Sequence, residues 1–90
     1  MGFKALITID LPSVTEENRK VFYKSLEEDK WVKVTRLTTT WRATFQSTVT
    51  RDGAIQALIA DLRSAKVKSG IRKVEYALQL DESEIQEGTL

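Results

Sequence analysis

Phe3-Lys4-Ala5-Leu6-Ile7-Thr8-Ile9 leads directly into Asp10-Leu11-Pro12-Ser13-Val14-Thr15-Glu16. In the first half, Phe3, Ala5, Ile7 and Ile9 alternate with Lys4, Leu6, Thr8 and Asp10, the period of two that turns one side of a strand to a core and the other to solvent. In the second half Ser13 would cap an orphan helix amide while Glu16 reaches back, the reciprocal capping box, with Thr15 as a competing cap. A strand hands over to a helix, and Asp10 is the carboxylate at the point where the sheet stops.

Reading on from that junction, Val21, Phe22, Ser25 and Leu26 recur at helical spacing as far as about Asp29, with most of the charge on the other side. Trp31 to Leu37 and Trp41 to Val49 are rich in β-branched and aromatic residues and read as a second and third strand. Only Thr38, Thr39 and Thr40 separate them. A tight hairpin favours Gly or Asn where φ is positive, so a longer turn than the spacing suggests is expected.

A second helix is capped by Thr50, carries Asp52 in its first turn, and shows one apolar stripe through Ala54, Ile55, Leu58, Ile59, Leu62 and Ala65 before Gly70 ends it. Ile71 to Leu80 reads as the last strand, with Val74, Tyr76, Leu78 and Leu80 on its inner face. Strand-helix-strand thus occurs twice. That order predicts an α+β, ferredoxin-like βαββαβ two-layer sandwich: a four-stranded antiparallel sheet with two helices on one face.

Ninety residues, 41% hydrophobic and 30% charged, suit one small domain, expected over residues 1–80 with an acidic tail at 81–90. So small a core favours a homodimer. The absence of His and Cys removes disulfides and the soft ligands of structural zinc. With neither a signal-like start nor a membrane-length apolar run, a soluble cytoplasmic protein is expected, with no membrane partner. The net charge of +1 conceals an asymmetry, because removing Asp81, Glu82, Glu84 and Glu87 leaves +5 on residues 1–80. The bland reading of the tail is a solvated, frayed end.

If both helices cover the apolar parity, the other parity is open. It is expected to carry Lys4, Leu6, Thr8 and Asp10, then Lys33 and Thr35, then Arg42, Thr44 and Gln46, then Lys73, Glu75, Ala77 and Gln79, a polar and mildly basic surface. Phe3, Trp41, Phe45 and Tyr76 fall on the covered parity, which argues against an RNA-stacking platform; Trp31 alone would face outward. Phosphate contact through Lys4, Lys33, Arg36 and Lys73, with Arg42, is the nucleic-acid-binding expectation. For each cation taken singly, the competing role is an ordinary cross-strand partner.

Catalysis without His or Cys has to rest on carboxylates and cations. A carboxylate at a strand end can hold Mg²⁺ through oxygen and orient water against a phosphodiester, and a dimer can bring two such sites together. The competing role for Asp10 is to punctuate the strand or cap the Pro12-Ser13 turn.

Asp10 closing an apolar first strand, Arg19 early in the next helix and the split βαβ layout resemble the small ferredoxin-like nucleases grouped with the CRISPR adaptation protein and the VapD-type ribonucleases. Ile9-Asp10-Leu11-Pro12-Ser13, with Ala43-Thr44-Phe45-Gln46-Ser47 later, is similar to the GhoS-type antitoxin endoribonucleases, whose first strand ends in a comparable aspartate-x-proline-serine turn. The chain departs from that pattern in a shorter connection between strands two and three. The resemblance implies a bacterial toxin-antitoxin setting and RNA cleavage by a small dimer, metal-assisted or electrostatically assisted, on a toxin transcript in the GhoS case. On this reading Asp10, Arg19 and Arg42 are the catalytic candidates, and Asp10 is the metal ligand. The alternatives are a non-enzymatic dimeric binding module of the same fold, or a protein inhibitor whose acidic tail mimics nucleic acid for a basic partner.

Overall fold

The structure, a computed structural model, describes residues 2–90. Its elements follow in the order β1 (Lys4–Asp10), α1 (Glu16–Glu28), β2 (Val32–Lys33), β3 (Thr40–Thr44), α2 (Arg51–Ser69) and β4 (Glu75–Asp81). The strands form one antiparallel sheet in the order β2-β3-β1-β4, the ferredoxin-like arrangement that the repeated strand-helix-strand order predicts. Ala5, Ile7 and Ile9 of β1 pack with Phe22 and Leu26 of α1 and Leu58 of α2, each exposed by 2% or less. Leu6, Thr8 and Asp10 lie on the opposite side of the sheet, away from this core.

Helix boundaries follow local chemistry. Thr15, with extended φ and ψ, caps α1 by accepting from the Asn18 amide at 3.1 Å, so Thr15 takes the role also open to Ser13. Ser13 instead occupies the corner of the Pro12-Ser13 turn with φ 56°, a left-handed conformation in which it cannot serve as an extended cap. Thr50 caps α2 through the Gly53 amide at 3.1 Å, and Gly70 ends the helix at φ 72°, a conformation a Cβ would strain.

The end of α1 decides where Trp31 goes. The Trp31 amide donates to the Leu26 carbonyl and the Lys30 amide to that of Glu27, with Lys30 at φ 72°. This is a Schellman closure, in which the residue after the left-handed position packs back on the last helical turn. Trp31 is accordingly 3% exposed and joins the core, which corrects its expected outward position. Its indole N–H donates to Asp61 Oδ2 at 2.9 Å, tying the start of β2 to α2.

Burial, together with the neighbouring Asp29 charge, raises the Asp61 carboxyl above the usual carboxylate range, against the opposing pull of the Trp31 N–H. A raised folded-state pKa means that the folded state binds the proton more tightly. This group therefore favours folding below the ordinary carboxylate pKa, about 3.9, and that contribution is lost as pH rises through the raised value. Asp61→Asn keeps an acceptor for Trp31 without titrating. In thermal melts followed by circular dichroism, its Tm relative to wild type is expected to climb as pH rises through this window and then level off; a pH-independent difference would refute the linkage.

The strands are shorter than expected. β2 ends at Lys33 because the chain turns back: the Leu37 amide donates to the Val34 carbonyl and the Thr40 amide to that of Leu37, with Arg36 at φ 72°. The connection is indeed longer than its threonines suggest, and an arginine holds its left-handed position. β3 leaves the ladder after Thr44, where its pairing with β1 reaches Lys4. Val21, grouped with the apolar stripe in sequence, is 40% exposed. Tyr76 pairs with Ile9 on the covered parity but is 46% exposed, because β4 is the sheet edge.

Among the described residues, no helix is long and apolar enough to cross a membrane.

Candidate functional site

β1 delivers Asp10 to the rim of the sheet, where Leu11 turns inward at 7% exposure and anchors the chain before the Pro12-Ser13 corner. The adjoining Ile9 amide donates to the Thr39 carbonyl at 2.9 Å, which draws the β2–β3 connection against the same rim. The Asp10 side chain is exposed and makes no hydrogen bond or ion pair among the described residues. The cap of α1 is supplied by Thr15, so the carboxylate is not consumed by the turn that follows it.

Asp10, Arg19, Tyr23 and Lys33 line one depression at this rim. Arg19 and Lys33 bring two cations to the border of the same depression as Asp10, so its lining can offer one proton acceptor and two sets of donors to a bound anion. Lys33 reaches this place because the register pairs it with Trp41 and pairs Val32 with Arg42. Its ammonium stands 4.9 Å from the Tyr23 ring centroid and 5.9 Å from that of Trp41, in cation–π contact on the helix side. Its expected position on the open face is therefore corrected. Trp31 turned inward sets the parity, and Lys33, two residues on, shares its side.

Glu75 is the residue that sequence reading did not single out. It is the direct partner of Asp10 across β1 and β4, and both line a second depression beside Tyr76. Lys73 pairs with Glu75 at 3.1 Å, which puts Lys73 at this end of the sheet also. Both residues were already on the open parity in sequence; a register for the two strands is what would have brought them together. Asp10 with Glu75 supplies two carboxylates, the number with which Mg²⁺ is often held when water and phosphate complete its shell. No group of three or more carboxylates suited to a metal ion occurs among the described residues.

The remaining candidates form a separate group. Arg42 stands opposite Leu6, four residues from Asp10 along β1, or roughly 13 Å. It does not join the Asp10 depression, so the structure separates these two candidates. Its guanidinium binds Glu87 at 2.7 Å, Lys4 reaches Glu84 at 3.4 Å, and Arg36 donates to Thr89 Oγ1 at 2.8 Å. The acidic C-terminal segment thus crosses the open face instead of trailing in solvent.

That face is also less polar than its sequence parity suggested. Leu6, Val32 and Leu37 are 37%, 51% and 52% exposed, and Val34, buried to 3%, lies with Leu6 and Ile85 outside the main core.

Comparison of the chain with protein-family models and with curated proteins finds no match.

Proposed function

We propose that this chain is an endoribonuclease acting on single-stranded RNA at the Asp10 rim, with the GhoS resemblance extending the reading to a toxin transcript as substrate. The observation that carries it is an unpaired, exposed carboxylate sharing one depression with a guanidinium and an ammonium. RNA contains its own nucleophile, the 2′-hydroxyl, so cleavage needs a proton acceptor and charge stabilisation rather than a protein nucleophile. Asp10 accepts the proton of the attacking oxygen. The 2′-oxygen bonds to phosphorus to give a 2′,3′-cyclic phosphate, Arg19 and Lys33 balance the charge that grows on the phosphate oxygens, and the P–O5′ bond breaks with the 5′-oxygen taking its proton from solvent water. A divalent cation held by Asp10 and Glu75 would add Lewis-acid stabilisation of the same oxygens.

The test is incubation of the purified protein with labelled single-stranded RNA in Mg²⁺, in Mn²⁺ and in chelator, with products resolved on denaturing gels. Cleavage is expected in at least one condition, and Arg19→Gln is expected to lower kcat by roughly a hundredfold, the scale of losing one transition-state donor. Arg42→Gln, outside the depression, is expected to raise KM far more than it lowers kcat. RNA left intact under all conditions overturns the proposal.

A further inference from the structure

We infer that residues 82–89 form a displaceable acidic strap over a track for single-stranded RNA on the open sheet face, so that RNA and the tail compete for the same cations. The segment begins at a tight bend after β4, where the Asp81 carboxylate faces the Ser83 hydroxyl and the amides of Glu82 and Ser83, which hold it below its ordinary pKa. From there it runs back across the sheet without joining it as a strand. Its hold consists of side-chain contacts: Glu84 and the Glu82 carbonyl on Lys4, Glu87 on Arg42, and Thr89 on Arg36. Ile85 adds an aliphatic contact, half-buried and bordering the same depression as Leu6 and Val34.

The strap is matched to the face and loosely held. Lys4, Arg36 and Arg42 each meet an oxygen of one extended acidic chain, which is what successive phosphates of a nucleic-acid strand would offer them. Exposed ion pairs contribute little individually and are screened by salt. A segment attached in this way opens and closes, and an outside ligand binds only to the open fraction, so its apparent Kd is raised by the closed population. RNA is favoured as the outside ligand by this charge complementarity and by the Asp10 rim roughly 13 Å farther along β1 from Leu6. The choice of RNA rests on the proposed function; the masking of the face by the tail does not.

The test uses the full chain carrying Asp10→Asn, so that binding is read without cleavage, and a fluorescein-labelled oligouridylate followed by anisotropy. Adding Glu84→Gln with Glu87→Gln is expected to tighten binding about fivefold at about 50 mM salt, the scale of releasing two exposed ion pairs. Glu27→Gln with Glu28→Gln, exposed on α1 away from the sheet, makes the same change in net charge and is expected to give a smaller gain. Adding Arg42→Gln to the tail variant is expected to abolish the gain.

Between about 50 and 200 mM salt, log K for the unmodified tail should also fall less steeply than for the neutralised one, because salt releases the competitor while it weakens RNA binding. Equal gains from the tail and α1 variants, parallel salt slopes, or binding of a peptide of residues 82–90 without any binding of RNA each overturn the inference. Cleavage is scored separately on chains with Asp10 intact. Tighter RNA binding without cleavage keeps the strap and removes the endoribonuclease; cleavage with no tail effect does the reverse.

Discussion

Asp10→Asn is expected to leave the fold unchanged and to lower the rate of RNA cleavage by at least about a hundredfold, the lower end of what a positioned proton acceptor contributes. The two effects separate because of where Asp10 sits. Its side chain is exposed and bonded to nothing among the described residues, so an isosteric amide removes no packing and leaves no buried donor behind. Its stability cost should stay within about 0.5 kcal/mol, as for other surface changes away from caps and cores. The amide can neither take a proton from the attacking hydroxyl nor share a divalent cation with Glu75 as a carboxylate would. Urea melts of both proteins beside the RNA assay decide the matter. Equal cleavage by both removes Asp10 from the chemistry, and a shifted melt would move it into the structural class.

The largest stability effect is expected at Phe22. Its ring is fully buried, packs edge-on to Tyr23 with centroids 6.3 Å apart, and belongs to the cluster joining β1 to both helices. Phe22→Ala removes that burial and leaves a cavity, a loss of about 3–5 kcal/mol. A domain of this size has a total stability of roughly 5–13 kcal/mol, so much of the margin disappears. At about 4–8 °C per kcal/mol, Tm should fall by more than about 12 °C in calorimetry or circular dichroism. Val21→Ala, one residue away but 40% exposed, should cost no more than about 1 kcal/mol. Comparable losses at the two sites would mean that α1 does not pack as described.

The Val21 and Phe22 pair shows what periodicity resolves. Apolar spacing identifies the stripe of α1, but which edge of the stripe meets the sheet depends on the helix's rotation, fixed only by contacts with Ile7, Ile9 and α2. Likewise the split βαβ order was legible from alternation in β1, from the Thr50 cap and from Gly70, all local signals. The lengths of β2 and β3 were not, because a strand lasts only as long as its partner runs beside it.

The candidate site divides in the same way. By itself the sequence determines the carboxylate at the end of the first strand, the cation early in the following helix, and the charge asymmetry between residues 1–80 and the acidic end. These follow from residue order and from periods of two or three to four residues. Only the tertiary structure sends Lys33 to the Asp10 rim, sets Glu75 opposite Asp10, holds Arg42 away from it and lays the acidic tail over Lys4 and Arg42. The physical reason is that strand register is a long-range pairing. A one-residue difference in parity, set here by the Schellman turn that buries Trp31, exchanges the two faces of a strand without changing anything that residue order records.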